Sequence, residues 1–176
     1  MSSENELPPH ILKPEKHLKR AQGYFALDMF EEARRELRAL PKGGVWNKRG
    51  RELLVAIHSE QEQWGRMMEV ARGLRHEFPE EAEWWVMDAF ATRREESIEE
   101  AREILLKGLA LHYDDALIRY NLGCYACVLK NFGECIDFLK EAVRRDEKFK
   151  LMALQDEDLS EVREALLNMG WDQVVV

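Results

Sequence analysis

Cys124, Cys127 and Cys135 are the three cysteines of the chain, and all lie in one stretch, YNLGCYACVLKNFGECIDFLKEAV, residues 120–143. Thiols so grouped raise two chemistries: metal ligation and thiol–disulfide exchange. A structural zinc site takes four Cys or His ligands in a tetrahedron. Cys124 and Cys127 share one face of a helix at a spacing of three, which supplies only two ligands. Cys135 falls on the next predicted helix, and His10, His17, His58, His76 and His112 show no ligand spacing with the cysteines. A redox pair sets its first cysteine at a helix N-terminus, where the dipole lowers the thiol pKa. Cys124 instead falls about two turns inside its predicted helix, beyond that end effect. The leading reading is therefore three small apolar side chains in helix packing. A Cys-based metal or redox module stays as an alternative.

Other catalytic patterns are missing. The sequence has no Gly-rich phosphate loop, no G-x-S-x-G elbow and no H-E-x-x-H pair. The carboxylates of SIEEAREIL and DEDLSE read as solvated helix faces. The expectation is a protein that is not an enzyme, with no cofactor and no metal.

The elements that carry these residues show in the composition and the period. Of 176 residues, 45% are hydrophobic and 34% charged, a folded and helix-leaning mixture. Lys and Arg total 26 against 34 Asp and Glu, a net charge of −8, so nucleic acid and anionic membrane are disfavoured partners. No apolar run approaches eighteen residues, which disfavours a spanning segment. The start, MSSENELPPHILKPEKH, lacks the apolar core of a secretory signal, and an odd cysteine count argues for a reducing compartment. The expected location is the cytoplasm.

Four stretches repeat one helical pattern: FEEARREL, WGRMMEVA, SIEEAREIL and FGECIDFL. A small or slim residue recurs at Ala33, Met67, Ala101 and Cys135, each step 34 residues. A bulky anchor precedes each by three, at Phe30, Trp64, Ile98 and Phe132, and Leu37, Ala71, Leu105 and Leu139 follow by four. Each unit reads as two short helices. Asp114-Asp115 can cap a helix starting near Ala116, and the following helix should run from about Phe132 to Arg145. Pro79 is read at a helix start. LPKGG closes the first repeat in a wider loop that carries an exposed Trp46.

A helix–turn–helix unit of 34 residues resembles the tetratricopeptide repeat. Leu122-Gly123 match that family's Leu-Gly pair, Tyr24 its first-helix tyrosine, Trp85 its tryptophan and Pro79 its terminal proline. Arg20 and Asp88 stand where a leucine is usual, so the first helices of repeats one and three are expected to be shifted or irregular. The resemblance implies an all-α, right-handed superhelical α-solenoid of about four helix pairs, 14–47, 48–81, 82–115 and 116–149. An N-terminal extension, 1–13, precedes them, and a C-terminal cap helix with an apolar tail, 150–176, follows. The cap segment LMALQDEDLSEVREALLNMG resembles the close of small bacterial tetratricopeptide proteins. Asp158 and Glu161 suggest a capping-box start for one final helix, and Gly170 a stop.

In that family the first helix of each repeat lines a concave groove. The lining then comprises Leu18, Gln22, Phe25 and Ala26; Glu52, Ala56, Ser59 and Glu60; Val86, Phe90, Arg93 and Arg94; and Leu117, Tyr120, Cys124, Cys127 and Val128. Such a face suits a peptide or amphipathic helix with apolar anchors. Phe25, Phe90 and Tyr120 equally suit packing between repeats. The lysine and asparagine clamp with which some family members grip a chaperone's carboxylate is not matched at Leu18, Gln22, Glu52, Val86 and Phe90. Trp84 and Trp85 point about 100° apart on a helix, so one is a candidate contact residue. The tail WDQVVV, with Val174–Val176, suggests a strand-like recognition segment, a fold-back or terminal disorder. The expected function is a non-catalytic adaptor that binds a partner protein, with a homodimer compatible. The alternative is a small acidic secretion-type chaperone for a hydrophobic client.

Overall fold

The computed structural model describes residues 12–172, which hold ten α-helices, one 3-10 segment and no strand. The helices are α1 (Pro14–Phe25), α2 (Phe30–Leu37), α3 (Gly44–Glu60), α4 (Trp64–Glu77), α5 (Ala82–Glu95), α6 (Ile98–Leu111), α7 (Ala116–Val128) and α8 (Phe132–Arg145). They are followed by α9 (Phe149–Gln155), a 3-10 segment (Glu157–Val162) and α10 (Arg163–Asn168). No helix among these residues is long and apolar enough to cross a membrane.

The 34-residue period of the sequence is a period of helix starts. Helices α2, α4, α6 and α8 open at Phe30, Trp64, Ile98 and Phe132. Three residues on, Ala33, Met67, Ala101 and Cys135 are each buried, as are Leu37, Ala71, Leu105 and Leu139. The turns before three of these helices share one construction. Asp28, Glu62 and Lys130 take positive φ, of 56°, 53° and 63°. The next N–H reaches back to the helix just ended: Met29 donates to the Tyr24 carbonyl, Gln63 to His58 and Asn131 to Ala126. Such a left-handed residue with a reaching-back bond satisfies carbonyls that a helix end leaves open. The turn before α6 differs, because Ser97 accepts from the Glu100 N–H and caps the helix by its side chain.

Contacts divide the chain into two compact units, with the boundary after Leu74. In the first unit α1 packs on α2 and α3 around Leu18, Ala21, Ala33, Leu37, Leu40 and Ile57. In the second, α5 packs on α6, α6 on α7 and α7 on α8. Close approach there depends on glycine. A Cβ at Gly123 would lie 2.9 Å from the Leu139 side chain, and one at Gly108 would lie 3.0 Å from Trp85. The Leu122-Gly123 pair is therefore a packing device between α7 and α8.

Several expectations need correction. The connection from α2 to α3 is the longest between any two of α1 to α8, but Trp46 is not on it: it lies in the first turn of α3, half-buried against the first unit's cluster. Pro79 precedes α5 by three residues and serves through its carbonyl, which accepts from Trp85 Nε1 at 2.9 Å. Neither α1 nor α5 is shifted or broken. Asp88 is fully buried in α5, where Arg75 Nε lies 2.7 Å away and Thr92 Oγ1 donates at 3.2 Å. Arg20 keeps its side chain largely in solvent, 3.7 Å from Glu36. Trp84 and Trp85 are both buried, Trp84 donating to Glu81 at 2.7 Å, so neither is a surface contact.

The C-terminal cap is three pieces in place of one helix. Asp156, not Asp158, accepts the capping bond, from the Asp158 N–H at 3.0 Å. Gly170 does close α10, with φ of 74°. Trp171 is buried in the core and so is no part of a free tail. Val174–Val176 and nearly all of the N-terminal extension lie outside the described residues.

Candidate functional site

The predicted groove residues fall into three kinds. Leu18, Val86, Tyr120, Cys124 and Cys127 are buried, so as open contact surface they are withdrawn. Phe25, Glu52, Ala56, Ser59, Phe90 and Arg93 are half-buried. Gln22, Ala26, Glu60, Arg94, Leu117 and Val128 are exposed. In the first unit Phe25 packs its ring 6.0 Å from that of Phe30, and Gln22 stands in solvent on the same helix. In the second, Arg94 lies over the Phe90 ring, 3.5 Å from its centroid.

Arg93, Tyr120 and Cys124 are brought together, and the reason is the cap. The chain after α8 turns back so that the 3-10 segment lies against α7. Phe149 stacks on Tyr120 at 4.8 Å between ring centroids, which covers that ring. One carboxylate oxygen of Asp156 accepts from the Tyr120 hydroxyl at 2.8 Å and from the Cys124 thiol at 3.5 Å. Its other oxygen takes the Asp158 N–H. Arg93 grips Asp158 with both guanidinium nitrogens, the second bond at 2.8 Å, and also stands over the Tyr125 ring. This fork geometry is the strong form of an Arg–carboxylate contact. Arg163 donates to the Asp156 carbonyl at 3.1 Å, and Lys130 pairs with Glu161. Beneath these polar contacts Leu159, Val162 and Leu166 join the core. A face of α7, with Arg93 of α5, thus seats a short acidic segment by two carboxylates and three apolar side chains.

The cysteines have a different setting from the one a reactive thiol needs. All three are free and buried. Burial pushes each thiol up, Cys124 far above the ordinary range with Asp156 adding to the effect, and Cys135 to about 12. Thiolate is the nucleophile and the metal-ligating form, and this environment opposes it. Among the described residues no group of three His, Cys, Asp or Glu is placed to hold a metal ion.

Sequence reading missed Asp156 and Asp158 as occupants of the α7 face, because DEDLSE has the pattern of a helix start. It also missed the Arg75–Asp88 pair. An aspartate at a position where the resemblance leads one to expect leucine was the available signal, and it pointed to a distorted helix instead of a buried ion pair.

The class that these observations define is an all-α chain of helix hairpins with an acidic segment seated on one face. No protein-family model matches the chain, and no curated protein sequence matches it.

Proposed function

We propose that the chain is a non-catalytic scaffold of the tetratricopeptide type, its hairpins stacked in a right-handed α-solenoid, which binds a peptide or helical segment of a partner protein in the cytoplasm. The observation that carries this reading is the seat on α7 and α5. Arg93, Tyr120 and Cys124 offer donors to two acidic side chains, and the cap adds apolar residues after them that join the core. A face that holds a segment of its own chain by such contacts has the chemistry to hold another chain's segment. The 34-residue recurrence of helix starts and of their buried columns supports the repeat architecture. Exposed Leu117 and half-buried Phe90, on the same two helices, add apolar surface.

Capture of partners from soluble lysate tests the reading, with wild type beside Phe90→Glu and Leu117→Glu variants of unchanged helicity. Proteins retained by wild type and lost by both variants support it. Equal capture by all three sinks it. Asp158→Ala, which loosens the chain's own segment, should raise capture if partner and cap compete for the seat.

A further inference from the structure

We propose that a cationic cavity in the first unit is a binding site for a small amphipathic anion, an apolar body carrying one carboxylate or phosphate head. The cavity has a volume of about 330 Å³ and is lined by residues between 34 and 54, from α2, the connecting loop and α3. Arg34, Arg38, Lys42 and Arg51 all line it, and no acidic residue does. Arg34 is bridged to Glu31, and Arg38 and Lys42, both exposed, are like charges that repel one another, while the chain as a whole carries a net charge of −8. An anion removes that repulsion, and guanidinium forks suit carboxylate and phosphate alike.

The rest of the lining selects the body of the ligand. Leu37, Leu40 and Leu54 give apolar walls, with Pro41 and Gly50 between them. Gly50 lets α3 approach the Leu40 side chain closely, since a Cβ there would meet it at 2.8 Å. The volume lies at the lower end of the range of small-molecule sites, about 300–1,000 Å³, which fits a small molecule better than a folded segment. Arg34 is held in orientation by Gln61 at 2.8 Å and by the exposed carboxylate of Glu31 at 2.5 Å. Arg38 and Lys42 are exposed and so free to adjust to a head group. The start of α3 adds positive potential. Gly43 gives it no side-chain cap, its first turn has no acidic residue, and Asn47 of that region lines the cavity.

Titration calorimetry on the full chain tests the site with four probes: octanoate, octyl phosphate, octanol and inorganic phosphate. The expected result is saturable binding of the first two, with octanol and inorganic phosphate each weaker by about tenfold or more. The paired variant Arg38→Glu/Lys42→Glu, of unchanged helicity, should lose about tenfold for the amphipathic anions, and added salt should weaken the wild type. Octanol binding as well as octanoate would reduce the site to an apolar hole. Inorganic phosphate binding as well as octyl phosphate would reduce it to a charged patch. Absence of saturable binding, or undiminished binding by the paired variant, would overturn the proposal outright.

Discussion

The two units of the chain bury their apolar residues in different ways. Among the described residues the first unit has a buried cluster of six side chains, and Tyr24, Phe25, Phe30, Trp46, Leu53 and Leu54 are only partly covered against it. The second has a cluster of twenty-one, from Trp85 to Trp171. Six of those, Phe149, Ala153, Leu159, Val162, Leu166 and Trp171, come from the cap. Similar hairpins thus reach dissimilar burial because one unit carries a segment that covers the open face of its last hairpin. An array of hairpins cannot bury its final apolar face without such a cover. The first unit instead keeps a cavity rimmed by cations, next to leucines at the edge of its core.

Charge follows the same division. Asp88 in the second unit is buried completely and balanced by Arg75, whose guanidinium also lies 4.8 Å from the centroid of the Trp85 ring. The first unit gathers like charges at its cavity. One arrangement satisfies a buried charge from within, and the other leaves the exposed Arg38 and Lys42 for a solute.

The largest expected effect breaks the internal balance. Asp88→Ala leaves Arg75 without its carboxylate and should cost about 3–5 kcal/mol of stability by urea denaturation. The paired change Arg75→Leu/Asp88→Leu should cost far less than that single change, and equal costs would show that the aspartate's packing, not its charge, is what counts. Next, the contrast between the two cores predicts unequal truncation. Leu139→Ala, at a site with no exposure, should cost about 3–5 kcal/mol. Leu40→Ala, beside the cavity, should cost about 2 kcal/mol, because its neighbours already border open space. Equal losses would erase the distinction between a tight and a loose core.

A smaller change is expected at the cap. Asp158→Ala removes a fork that is about a quarter exposed, so about 1–2 kcal/mol is expected after allowance for solvent. Its mark should be local: amide exchange should quicken through residues 156–163 while α2 is unaffected. Uniform acceleration would mean that the cap is not a separate opening unit. The least effect concerns acid. His58 is buried beside Gln63, and burial lowers its pKa below the ordinary 6.5. The fold favours the neutral ring, so its contribution is complete above pH 6.5 and is lost as pH falls through that value towards the lowered one. His58→Gln should therefore lose less stability than wild type between pH 7.5 and 5.5, and a parallel loss would place the acid sensitivity elsewhere.

Much of the fold was legible because the signal is local. The anchors at Phe30, Trp64, Ile98 and Phe132 marked helix starts, since an amphipathic face must recur with the helix that buries it. The Asp115 cap and the Phe132–Arg145 span agree with what a short window contains. The candidate site was read less well. Tyr120, Cys124 and Cys127 do lie on one helix, but the sequence pattern cannot distinguish an open face from one covered by another part of the chain.

By itself, then, the sequence determined the helices, their period and the small residues at which helices meet, because each depends on neighbours within a few turns. Tertiary structure alone decided what covers those helices. Arg93 meets Asp158 across 65 residues, Tyr120 meets Asp156 across 36, and the cavity collects cations from two helices and a loop. Such meetings depend on how the chain folds back, and a carboxylate in a helix-start pattern looks the same whether it caps its own backbone or reaches an arginine on a distant helix.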